Sequence, residues 1–154
     1  MSLFKNVIFL LFAINVSIDD VKNHLIRNHK LILLLGIAVL SSFTSLSENV
    51  NPLAGFQFLG VLSLLYFASN RYGQSDGVGF GDVKLIAVLA FAFLDSGLKS
   101  IAIFFFSLWL ILMVHVSLYF LIYRKFPRRL ALAPDIFLAS GLYLYTPIAL
   151  LLPQ

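Results

Sequence analysis

The chain contains no cysteine, which excludes disulfides, thiolate catalysis and any cysteine-based zinc site. Histidine is scarce as well. His24, His29 and His115 are scattered along 154 positions, so neither a metal nor any other cofactor is expected. Charge is the third shortage: Asp, Glu, Lys and Arg make up 12% of the residues while 60% are hydrophobic, against about 25% and 45–50% in soluble domains. A mean hydropathy of +0.96 is too high for a core that must still present a polar surface to water, and a bilayer is the solvent that accommodates it. Internal repeats and low-complexity segments are missing too. The length suits one domain, so residues 1–154 are expected to form a single membrane-embedded unit.

What is present is a series of six apolar stretches, at residues 3–18, 31–46, 53–69, 83–94, 101–123 and 130–152. They predict an all-α, polytopic membrane protein with about six transmembrane helices. The second, third, fifth and sixth are long enough, or nearly so, to cross ~30 Å of hydrocarbon. The fourth has about twelve apolar residues, ~18 Å of helix. It must lie in thinned bilayer, be shielded by neighbours, or continue past Asp95. Lys5 precedes an apolar run within the first stretch, a pattern also found in signal peptides, but no convincing small-residue cleavage site follows it.

Charge placement orients the chain. Of the 11 Lys and Arg residues, all but Lys5 and Lys99 fall between stretches one and two, between three and four or at the start of four, or between five and six. They include Lys22, Arg27, Lys30, Arg71, Lys84 and the basic run Arg124-Lys125-Phe126-Pro127-Arg128-Arg129. Positive charge stays on the cytoplasmic side, so both termini are expected outside. The net charge of +4 then reports topology and not a nucleic-acid partner; the expected surroundings are the lipid bilayer of a cytoplasmic (inner) membrane.

Each of the few acidic residues invites a question. Glu48 and Asp95 fall in short outer loops and are expected to be solvated. Asp76, in Ser75-Asp76-Gly77, suits a turn in which its side chain caps local backbone. Asp135 follows Pro134 at the start of the sixth stretch and suits a helix N-cap. Asp19, Asp20 and Asp82 remain. Asp19-Asp20 close the first stretch and Asp82 opens the fourth, so the topology puts all three at one depth, at the cytoplasmic edge.

Two carboxylates in a partly dry site do not both ionise readily. One retains a proton, and the other is free to take a proton from water. Such a pair hydrolyses a peptide bond with neither metal nor covalent nucleophile. Gly79 and Gly81, lacking Cβ, would allow close approach of a substrate backbone and unusual dihedrals ahead of the helix. The plainer alternative is a glycine-rich loop whose Asp82 merely caps the fourth helix.

Gly79-Phe80-Gly81-Asp82-Val83-Lys84-Leu85 resembles the G-x-G-D-V-K-L block of the type IV prepilin peptidases, membrane aspartyl proteases of the GxGD type. Asp20-Val21-Lys22-Asn23-His24-Leu25-Ile26-Arg27-Asn28 is similar to that family's first-aspartate motif, with Ile26 six residues after Asp20. Leu132-Ala133-Pro134 through Leu138 and Gly141 resembles the start of its last helix. The resemblance implies catalytic roles for Asp20 and Asp82, and substrate-binding or supporting roles for Gly79, Gly81, Lys84 and Asn28. It also implies removal of basic leader peptides from prepilins or pseudopilins at the cytoplasmic face.

Two positions depart from the pattern. Arg27 stands where the family usually has Pro, which predicts a less rigid loop, and Asp135 is unexpected at its position. The cysteine cluster of the bifunctional, methylating members is missing, so the chain looks like the short, peptidase-only form. Asp19 is expected to face headgroups or Lys22. Rival readings are a presenilin-like protease, a small transporter or ion-pathway subunit using membrane carboxylates, and a non-catalytic pilus or secretion assembly subunit. The substrate's identity and the oligomeric state are not written in the sequence.

Overall fold

The computed structural model describes residues 3–43, 50–71, 79–126 and 130–145. Glu48, Asp76, residues 127–129 of the basic run and the end of the sixth stretch lie outside the described residues. Among the described residues all regular structure is helical: α1 Leu3–Asn23, α2 Asn28–Phe43, α3 Pro52–Arg71, α4 Phe80–Phe93, α5 Leu98–Tyr123 and α6 Leu132–Tyr145. Two of them, Pro52–Arg71 and Leu98–Tyr123, are long and apolar enough to cross a membrane.

The helix ends follow local chemistry. Pro52 opens α3, where a missing N–H costs nothing, and the Asn51 side chain accepts the Ala54 N–H at 3.1 Å as an N-cap. α1 stops at His24, which takes a left-handed conformation (φ 47) while its N–H reaches back to the Asp20 carbonyl at 2.8 Å. α5 ends the same way at Arg124, φ 54. Left-handed caps of this kind satisfy carbonyls left over at a helix C-terminus.

α4 lies at the centre, packed against α2, α3 and α6, with α1 against α6 and α2, and α5 against α6. Val83, Leu85, Ile86, Leu89, Ala90 and Ala92 are all buried, so α4 is apolar all round because every side meets protein. That decides among the options for the short fourth stretch: the helix ends at Phe93 and does not run past Asp95, and its neighbours shield it.

α3 and α4 approach closely. A Cβ on Gly55 of α3 would lie 2.9 Å from Phe91 Cβ on α4, and the Asn51 N–H also bonds to the Phe91 carbonyl at 3.0 Å. Between apolar helices such small-residue contact supplies packing that burial alone does not. Phe58 and Phe104 join α3 to α5 edge-on at 5.4 Å. Outward faces of α1, α2, α3 and α5 carry exposed Ile14, Ile32, Leu64 and Leu121.

Candidate active site

α1 runs past its apolar stretch to Asn23, so Asp19 and Asp20 sit on the helix, not beyond it. Consecutive helical residues point about 100° apart, and the two carboxylates go separate ways. Asp19 pairs with Lys30 at 2.7 Å and, at 3.7 Å, with Arg27; Lys30 also bonds to the Asn15 side chain. The expected partner Lys22 is replaced by residues from the α1–α2 link and α2, which folds back beside α1. Arg27 holds Asp19 and thereby ties down the link in which it stands.

Asp20 turns inward and is 6% exposed. Its Oδ2 accepts the Ala133 N–H at 2.8 Å, a contact across 113 residues. Ala133 is the second residue of α6, where backbone N–H groups lack intrahelical partners and negative charge is favoured. Asp20 therefore does for α6 what was expected of Asp135. The correction has a clear cause: the Asp135 carboxylate points to α5, with His115 Nδ1 2.9 Å from both its oxygens.

Asp82 occupies the first turn of α4, one residue ahead of its apolar segment. Its Oδ2 accepts the Gly79 N–H at 3.2 Å, the N3 half of a capping box, since glycine has no side chain to return the bond. The plain capping role is thus real, and it uses one of the two oxygens. Gly79 has ordinary extended dihedrals (φ −68, ψ 145) and Gly81 is helical, so the expectation of unusual dihedrals at these glycines does not hold. Closeness is what Gly79 provides: a Cβ there would come within 3.1 Å of Asp82 Oδ2, whereas one on Gly81 would make an ordinary contact with Ile26 Cβ at 3.4 Å.

The two motifs meet around one cavity of about 290 Å³. Asp20, His24, Ile26 and Asn28 line it from the first, Gly79, Gly81, Asp82 and Lys84 from the second. All six residues singled out in the sequence are among these. Lys84 Nζ donates to Asn28 Oδ1 at 3.3 Å and stands 4.9 Å over the Phe80 ring. Burial first, then the nearby charge of Asp20, push the Asp82 carboxyl up to about 6. The Gly79 N–H pulls the other way and is outweighed.

Sequence reasoning missed the Ala133 amide and the His115–Asp135 contact. A signal for the second was available: a lone histidine and a lone aspartate on adjacent apolar helices each need a polar partner. Asp95 is exposed as expected, and accepts the Tyr143 hydroxyl at 3.0 Å.

Two carboxylates thus line one cavity, Asp20 bound by a helix N-terminus and Asp82 pushed upward. The chain belongs to the type IV leader peptidase family, whose model matches residues 7–123 and so takes in both motifs. It is accordingly a leader-peptidase-like protease. No curated protein and no solved structure matches it.

Proposed function

We propose that the chain is an aspartyl endopeptidase that removes basic leaders from prepilins or pseudopilins at the cytoplasmic face of the inner membrane. The observation that carries this reading is the cavity shared by Asp20 and Asp82, with both motifs in its wall. Six membrane-embedded helices forming one domain fit the exposed apolar faces and the side on which the basic residues collect. In that topology the end of α1 and the start of α4 share one depth. A substrate helix lying in the bilayer would then present its leader junction to the cavity.

The roles divide by environment. The Ala133 amide and the N-terminus of α6 favour negative charge on Asp20, so Asp20 is the base; Asp82, pushed upward, holds a proton more readily than an ordinary carboxyl and is the acid. Asp20 takes a proton from water as the oxygen attacks the scissile carbonyl carbon, and Asp82 donates its proton to the carbonyl oxygen. The tetrahedral intermediate collapses when the C–N bond breaks. The amine leaves with the proton held by Asp20, and the hydroxyl proton returns to Asp82. Lys84 and Asn28 hold the two motifs together at the cavity wall.

Leader removal by variants at matched membrane abundance tests this. Asp20→Asn and Asp82→Asn are each expected to lose about 10²–10⁴-fold, the usual range for a lost acid or base. Asp19→Asn, whose carboxylate pairs with Lys30 and does not line the cavity, should keep most activity. An active Asp82→Asn overturns the proposal; an active Asp20→Asn beside an inactive Asp19→Asn exchanges the two aspartates.

A further inference from the structure

α5 carries one histidine and α6 one aspartate, and the fold brings them together where the proposed catalytic mechanism has no use for either. Asp135 is 2% exposed, and its two oxygens share His115 Nδ1 at 2.9 Å. An imidazole lone pair facing two carboxylate oxygens would repel them, so a proton lies between the two groups. Burying a carboxylate is costly without such a partner, and an apolar helix pair accepts the cost only where the pair serves a purpose. Its position suggests which. Asp135 is two residues beyond Ala133, ~3 Å along the same helical turn, and Ala133 donates to Asp20 Oδ2.

Among the described residues, polar side chains tie α6 to α5 toward both ends of the pair. Toward one end the Tyr143 hydroxyl meets Ser100 Oγ at 2.9 Å; at the other His115 meets Asp135. Only the second lies in the turn that touches Asp20. We propose that His115 and Asp135 are positioning residues for Asp20: their contact seats the first turn of α6 on α5 and so keeps the Ala133 N–H on the Asp20 carboxylate. This rests on the reading of Asp20 as a catalytic residue. With the contact broken, the first turn of α6 is free to shift, Asp20 loses its amide, and the carboxylate is no longer held toward the water it activates. Displacement of about 1 Å in such a group costs as much as 10²-fold in rate.

The test measures kcat and KM separately for the purified full chain cleaving a prepilin in detergent. His115→Leu is expected to lower kcat by about 10–100-fold with KM within twofold of the wild type. His115→Asn, whose amide still donates to Asp135, should recover most of the rate. Tyr143→Phe breaks the other polar tie of the same helix pair; it should lower the unfolding temperature while leaving kcat unchanged, which separates positioning from general stability. If His115→Leu does not insert, Asp135→Ala is measured instead, with the same kcat loss expected. The proposal is overturned if the disrupting variant keeps kcat within threefold, if His115→Asn is no better than His115→Leu, or if Tyr143→Phe loses as much kcat. Asp20→Asn in the same assay keeps the two levels apart. If it is active, the catalytic reading fails; if it is inactive beside a fully active His115→Leu, only the positioning pair fails.

Discussion

Lys84 Nζ donates a hydrogen bond to Asn28 Oδ1 at 3.3 Å, joining residues 56 positions apart. Asn28 opens α2 directly after the link from Asp20, and Lys84 lies half a turn past Asp82, so the bond ties the two aspartate-bearing segments together. The bond is exposed and should add little to stability, about 0–1 kcal/mol. Its effect should appear in cleavage. Asn28→Ala and Lys84→Met are each expected to slow leader removal several-fold, and the double variant should be hardly slower than either single one. A double-mutant cycle on kcat/KM checks this; fully additive losses would mean that the two residues act separately.

The glycines divide by what surrounds them. Gly55 faces Phe91 with no space for a Cβ, whereas Gly60 has nothing within 4 Å. Gly55→Ala should destabilise the α3–α4 contact by about 1–3 kcal/mol through overpacking. Gly60→Ala should be neutral or slightly stabilising, since alanine is the better helix former. Denaturation in matched detergent compares them. Gly79→Ala crowds Asp82 Oδ2 at 3.1 Å and should reduce cleavage more than it reduces stability.

Asp82, pushed up to about 6, gives a pH dependence of known sign. Cleavage should fall as pH rises through about 6 and the acid loses its proton. The same raised carboxyl favours the folded state fully below its unfolded value of about 3.9; that contribution is lost as pH rises through about 6. Asp82→Asn should flatten this part of the stability profile. In Asp20→Asn the repulsion is gone, so Asp82 should titrate at lower pH. Carboxyl-labelled NMR would follow it, and an Asp82 signal unmoved by Asp20→Asn would show that the pair is uncoupled.

The proposed topology makes a prediction of its own. Reporter fusions after Lys30, Arg71 and Lys125 should read as cytoplasmic, and fusions after Asn51 and Gly97 as external. Opposite readings at Lys30 and Arg71 would separate Asp20 from Asp82 across the bilayer and remove the shared site.

Much of this protein is legible in one dimension. Apolar runs announce helices because a helix satisfies its backbone hydrogen bonds within itself, and all six stretches correspond to helices. The motifs are legible because their chemistry is local: an Asp three residues after Gly79 caps the helix it begins, whatever else it does. All six residues chosen from these motifs line one cavity.

Side-chain partners across helices were decided elsewhere. Nothing in the order of residues says that Asp19 meets Lys30 rather than Lys22, that Asp20 caps α6, or that Asp135 turns to His115. Helix ends create unsatisfied N–H groups wherever they fall, and a buried carboxylate must find a donor. Which donor it finds depends on how the helices cross. The sequence by itself determined that this chain would carry two aspartates at the ends of apolar helices. Only the packing of α1 and α6 around α4 decided that one of them would be bound to a helix N-terminus while the other was pushed toward its protonated form, because desolvation and cross-helix hydrogen bonds exist only once the helices have met.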